Sequence, residues 1–143
     1  MKIALVAMSG VRAHNEELTQ LGLTLPGFVE RNKTVASLPS LGLLTLAGMT
    51  PDGFDVDYLE VADIREAESL PEGYDLVAIS TFSAQVGEAY ELADRYEALG
   101  SPVVMGGLHV SALPDEAKEH CTSVVVGEGE ALWLEILADL KRG

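Results

Sequence analysis

The stretch that most constrains this chain is Pro102-Val103-Val104-Met105-Gly106-Gly107. Gly100 stops a helical pattern and Pro102 restarts the chain. Three apolar residues then run into two glycines, as when a buried parallel strand enters a tight turn. A Gly-Gly pair at that place permits positive φ and leaves the main chain bare toward whatever lies on the sheet edge. Open α/β sheets bind ligands along that edge, so the segment constrains both the fold class and the side of the fold that carries function.

Further apolar runs predict the remaining strands at Lys2 to Met8, Phe54 to Leu59, Leu76 to Ile79 and Ser123 to Val126. The nearly continuous runs read as strands covered on both faces, whereas Phe54 to Leu59 alternates and reads as an edge strand. Between them, Pro39 at a first helical position with Leu41, Leu44 and Leu46 to Ala47 predicts a helix ending before Pro51. Gly42 and Gly48 weaken that helix by about 1 kcal/mol each, which points to close approach to the sheet or a ligand. Val86, Ala89, Tyr90, Ala93, Tyr96 and Leu99 share one face of a longer helix. Pro114 with Asp115 and Glu116 opens a short helix, its acids at the positive end of the dipole. Leu132, Trp133, Ile136, Leu137 and Leu140 give a closing one. Asp63 to Ser69 reads as a short helix, and Val11 to Ser37 as a long excursion with one helical turn around Asn15 to Gln20. Strands alternating with helices imply parallel pairing through right-handed crossovers. Without Gly-x-Gly-x-x-Gly after the first strand, the expectation is a flavodoxin-like three-layer α/β/α sandwich, its five-stranded parallel sheet ordered 2-1-3-4-5.

A chain of 143 residues with 48% apolar and 22% charged residues suits one globular domain. Its 9 basic against 23 acidic residues give a formal charge of -14, which repels phosphate backbones and anionic lipid and argues against nucleic acid and membrane partners. No apolar run reaches the ~20 residues of a membrane span, and Ile3 to Met8 is too short for a secretory signal, so the expected compartment is the cytoplasm. Cys121 is the lone cysteine, which excludes an internal disulfide and a cysteine-held cluster built from this chain alone; it reads as a small buried hydrophobe.

The Gly106-Gly107-Leu108-His109 segment, followed by Leu113-Pro114-Asp115-Glu116, resembles the cobalamin-binding domain at the front of many radical S-adenosylmethionine proteins. Leu38 to Ala47, Asp75 to Phe82 and Val124-Val125-Val126-Gly127-Glu128-Gly129-Glu130 match the same family in the same order. The resemblance implies the flavodoxin-like fold, cobalamin as cofactor, and a place at the front of a longer polypeptide. There, a downstream domain would hold the iron-sulfur cluster, bind S-adenosylmethionine and transfer a methyl group or rearrange carbon. No turnover is expected of these residues by themselves, and no catalytic or metal-ligating residue is assigned.

Strand ends predict a ligand edge built from Ser9, Gly10, Ser80, Thr81, Phe82, Gly106, Gly107, Gly127, Glu128 and Gly129, with room for a flat ligand above and a tail reaching down. By the resemblance, Ser80 matches a serine near the buried nucleotide base, Gly106 and Gly107 match glycines that give way to the tail, and His109 matches the histidine after the Gly-Gly turn. A loop hydrogen bond is the simpler role for His109. His14 stands where the better-known Asp-x-His-x-x-Gly ligand would be, without the Asp or the Gly, and reads as a solvated loop residue. His120 reads as surface. Glu128 and Glu130 head a helix and read as dipole-complementing caps rather than an acid-base pair, while Trp133 and the tyrosines sit at core spacing.

Two relatives of this fold fail on chemistry. A phosphoacceptor domain needs an Asp where the chain has Ser80, and a flavodoxin needs a hydroxyl-rich loop where it has Ser9-Gly10-Val11-Arg12. The surviving rival is a family-like domain that has lost cobalamin and serves in docking or substrate recognition.

Overall fold

A computed structural model describes residues 1–8, 39–65 and 71–143. The strands are β1 (Lys2–Met8), β2 (Asp55–Val61), β3 (Leu76–Ser80), β4 (Val103–Gly106) and β5 (Ser123–Val124). All pair in parallel, in the order β2-β1-β3-β4-β5, which is the flavodoxin-like order expected. The helices are α1 (Leu41–Met49), α2 (Val86–Ala98), α3 (Leu108–Ala112), α4 (Pro114–Ala117) and α5 (Trp133–Arg142). Single 3-10 turns at Ser83–Gln85 and Gly129–Ala131 lead into α2 and toward α5.

Alternation along the central strands builds two cores. Ala4, Val6 and Met8 of β1 join Val77, Ile79, Val103 and Met105 on the face covered by α2, α3 and α4. Ile3, Leu5 and Ala7 join Leu76, Ala78 and Val104 on the face covered by α1 and α5. Every residue from Ile3 to Met8 is buried, so the continuous apolar run is what a strand between two layers requires. At the edge, β2 is half-exposed, and its seven residues pair with all of β1.

Several boundaries differ from the sequence-based expectations. Ser40, not Pro39, starts α1 as its N-cap, its hydroxyl accepting the Leu43 N–H at 3.4 Å; Pro39 lies just outside. Leucines occur all around α1, so periodicity could not choose its buried side, and Leu43 packs inward while Leu41 and Leu44 are exposed. Leu99 caps α2 at 55% exposure, and Leu132 precedes α5 rather than packing under it. The fifth strand stops at Val124. Val125 still donates to the Met105 carbonyl at 2.8 Å, but Val126 turns out to solvent. The segment after Gly107 is helical, which the glycines concealed. Of the short helix expected over 63–69, Ile64 and Arg65 form a turn and the remainder from residue 66 lies outside the described residues, as do the excursion over 11–37 and its helical turn.

The two glycines ending β4 do different work. Gly107 has φ 109°, and a Cβ there would stand 2.6 Å from the Thr81 carbonyl oxygen and 3.2 Å from the Thr81 nitrogen. At Gly106 a Cβ would meet the Val125 side chain at an ordinary 3.7 Å. Gly107→Ala is therefore expected to lower stability by about 1–3 kcal/mol, and Gly106→Ala by less than about 1 kcal/mol. Urea midpoints for the two variants check this, and equal midpoints would contradict the close approach of Gly107 to Thr81.

Candidate functional site

The carboxyl edge of the sheet opens into a cleft of about 170 Å³ between the sheet and helices α1 and α5. Ala78, Val104 and Val125 supply the sheet side, Leu43 and Leu46 the α1 wall, and Trp133 and Ile136 the α5 wall. Trp133 is 1% exposed. Its indole N–H donates to Thr50 Oγ at 2.9 Å, and the Thr50 hydroxyl donates to the Leu46 carbonyl at 2.8 Å. The residue capping α1 thus fixes the ring that α5 brings to the cleft.

The rim is mostly bare. Gly42 faces the cleft from α1, and a Cβ there would meet nothing within 4 Å. Gly127 has φ 84° and donates its N–H to Ser111 Oγ at 3.0 Å, which ties the rim to α3. Ser80 ends β3 against Gly106, and its hydroxyl makes no hydrogen bond among the described residues. Glu128 and Glu130 also line this end, Glu128 exposed and Glu130 half-buried.

Of the residues expected at the ligand edge, Ser80, Gly106, Gly107, Gly127, Glu128 and Gly129 line this one cleft. Thr81 does not. It is buried beneath Gly107, its hydroxyl donating to the Phe82 carbonyl at 3.1 Å. Phe82 is 55% exposed, following β3 at the same edge but outside the cleft lining. Ser9 and Gly10, like His14, lie outside the described residues. Sequence reasoning read Trp133 only as core and Glu130 only as a cap, and both line the cleft as well. Burial is the same for a core ring and for a cleft wall, so helical spacing could not separate them. The helix-weakening Gly42 was the available sign that α1 faces open space.

His109 lies off the cleft, in α3. Its Nδ1 is 3.0 Å from Ser83 Oγ and its Nε2 3.3 Å from Glu116 Oε1. An ionised carboxylate only accepts, so Nε2 carries the hydrogen, and in the neutral ring Nδ1 accepts from Ser83. Glu116 also accepts from the Tyr90 hydroxyl at 3.0 Å. Tyr90 stacks on His120 with ring centroids 4.3 Å apart, and His120 reaches both Asp94 oxygens at 3.1 Å. This network links the turn after β3 to α2, α3 and α4. Burial and then Glu116 push the Tyr90 hydroxyl up to about 12, while the Tyr90 hydrogen bond, followed by that of His109, holds Glu116 below its ordinary value. Cys121 is buried, and that burial raises its thiol. Among the described residues no group of three or more His, Cys, Asp or Glu could hold a metal ion, and no helix is long and apolar enough to cross a membrane.

Residues 31–137 match the family model of the B12 binding domain. The chain belongs to this family. Over 110 residues it is 41% identical to bacteriochlorophyllide d C-12(1)-methyltransferase of Chlorobaculum tepidum, a match covering 75% of this chain and 23% of that protein. Over 101 residues it is 35% identical to bacteriochlorophyllide d C-8(2)-methyltransferase of the same organism, covering 71% and 22%. The chain therefore spans less than a quarter of the curated relatives it matches. No solved structure matches it significantly.

In this B12 binding domain the Glu116 network gives acid stability a definite sign. A carboxyl held below its ordinary 4.5 in the folded state contributes stability above that value, and the contribution is lost as pH falls through the lowered one. Tyr90→Phe removes the leading cause. Its stability is expected to fall less steeply than that of the wild type as pH drops below about 4.5, and parallel curves of urea midpoint against pH would contradict the assignment.

Proposed function

We propose that this chain is the cobalamin-binding part of a radical S-adenosylmethionine enzyme that transfers a methyl group, with the cluster and the methyl-transfer chemistry carried by a downstream domain of the same polypeptide. The observation that carries the reading is the cleft at the carboxyl edge of the sheet, entered past a rim of glycines, in a chain of the B12-binding family. Methyl transfer is supported by the two relatives being methyltransferases, and the larger polypeptide by the share of their length that lies beyond the match. The lone Cys121 is consistent with a cluster held elsewhere.

The residues present suit a corrinoid. Gly106 and Gly107 would present main chain rather than side chains to a flat ring at this edge, and the open space at Gly42 and Gly127 leaves the mouth of the cleft clear. The apolar cleft would hold the nucleotide tail. Ser80, whose hydroxyl has no hydrogen-bond partner among the described residues, would offer it to the base, and Glu128 and Glu130 would offer acceptors near the rim. When bound, cobalamin supplies a cobalt centre able to accept and release a methyl group. The chain's own part is to grip the tail, exclude water from the cleft and hold the edge flat. His109 acts at one remove, bracing Ser83 and hence the turn that carries Ser80.

Hydroxocobalamin added to the purified chain is expected to show a saturable change in its visible spectrum. His14→Ala is expected to leave the spectrum of the complex unaltered, because His14 lacks the partners a cobalt-ligating histidine needs. Absence of any spectral change at high protein concentration would overturn the reading in favour of a cofactor-less docking module. Loss of imidazole ligation in the variant would overturn the ligand assignment.

A further inference from the structure

We infer that Ser83, His109 and Glu116 form a second site, a nucleophile with its base and an orienting carboxylate, that hydrolyses esters of short apolar acids; it stands apart from the cleft and does not depend on the cobalamin reading. Ser83 Oγ lies 3.0 Å from His109 Nδ1, and His109 Nε2 lies 3.3 Å from Glu116 Oε1. A carboxylate that accepts the Nε2 hydrogen leaves the Nδ1 lone pair toward the serine hydroxyl, which is the tautomer a general base needs.

Three elements supply the three groups. Ser83 is exposed and opens the turn into α2, His109 sits in α3 with its side chain 12% exposed, and Glu116 belongs to α4. The Tyr90 hydroxyl donates to the same Glu116 oxygen at 3.0 Å, and its ring meets the His109 ring edge to face with centroids 6.4 Å apart. That hydrogen bond, followed by the one from His109, holds Glu116 below its ordinary value, so it stays ionised and stabilises a protonated imidazole. The N–H groups of Ser83 and Ala84 have no partner among the described residues, and they lie in the turn that leads into the positive end of α2. An oxyanion forming beside Ser83 Oγ is stabilised there. Phe82 and Leu108, which precede Ser83 and His109 in the chain, are 55% and 74% exposed and offer apolar surface to an acyl chain. The formal charge of -14 disfavours anionic substrates.

In the reaction Ser83 Oγ attacks the ester carbonyl carbon and its proton passes to Nδ1. The bond to the alcohol oxygen breaks, and the alcohol leaves with that proton. Water then attacks the acyl-serine and gives a proton to Nδ1, and the acid departs as the proton returns to Ser83 Oγ. Ester and water become acid and alcohol, with no further reactant.

The test follows hydrolysis of p-nitrophenyl butyrate by the 143-residue chain, with mass spectrometry of the chain after treatment with a fluorophosphonate. Saturable hydrolysis is expected, with a phosphonyl group on Ser83. Ser83→Ala, at an exposed position, is expected to keep the wild-type melting temperature and to lose both. His109→Ala is expected to lower kcat by about a hundredfold. Glu116→Gln keeps an acceptor for the Nε2 hydrogen without the charge, and is expected to lower kcat while KM stays unchanged; an unaltered kcat would overturn the role of Glu116. Hydrolysis by Ser83→Ala at the wild-type rate would overturn the proposal, because other side chains would then account for it. A label on another residue, or none at all, would overturn it equally.

Discussion

Parallel pairing governs this molecule, because strands that all run one way deliver all their carboxyl ends to one edge. At that edge Gly107 lets the end of β4 lie against the Thr81 backbone, at a distance no Cβ would tolerate. From that contact follow the turn into α3, the placing of Ser80 beside Gly106, and the cleft between the sheet and helices α1 and α5. The cost of parallel pairing is that both faces must be covered. Residues 3 to 8 meet that demand by sending alternate side chains into two separate cores.

The two faces differ in kind. On the α2 side the core is closed, and its outer polar groups are tied together through Tyr90, Glu116, His109 and His120. On the α1 and α5 side, small residues at 42, 106 and 129 leave packing incomplete near the edge, and Thr50 to Trp133 fixes the wall that bounds the gap. A rigid face holding the turns beside a partly open face is the arrangement that places a binding cleft without a mobile scaffold. The family match over residues 31–137 takes in β2 to β5 and the residues that line this edge.

Much of this was legible in the sequence wherever burial on both faces leaves an unbroken apolar run, as at Lys2 to Met8 and Leu76 to Ile79. Parallel pairing followed from alternation with helices, the strand order from the missing Gly-x-Gly-x-x-Gly after the first strand, and the rim from glycines placed just after strands. What escaped has identifiable causes. α1 carries leucines on every side, so its pattern does not say which of them meets the sheet. Gly107 reads as a stop, although it caps the short helix α3. Val126 continues an apolar run whose pairing ends at Val124, because β4 has already turned away at Gly106. Trp133 belongs to the core and to the cleft at once, and only three dimensions separate those roles. Ser9, Gly10 and His14 lie outside the described residues.

The central claim is that the tail of a corrinoid enters the cleft between α1 and α5. Trp133 is the sole tryptophan and lines that cleft, so its fluorescence reports occupancy directly. Gly42→Leu places a side chain into open space there and replaces a helix-weakening glycine, so it blocks the cleft without straining the fold. After correction for absorption by the ligand, hydroxocobalamin is expected to quench Trp133 saturably in the wild type and not in Gly42→Leu, with the variant melting at the same temperature or higher. Saturable quenching of equal affinity in the folded variant, or none in the wild type, would contradict the account.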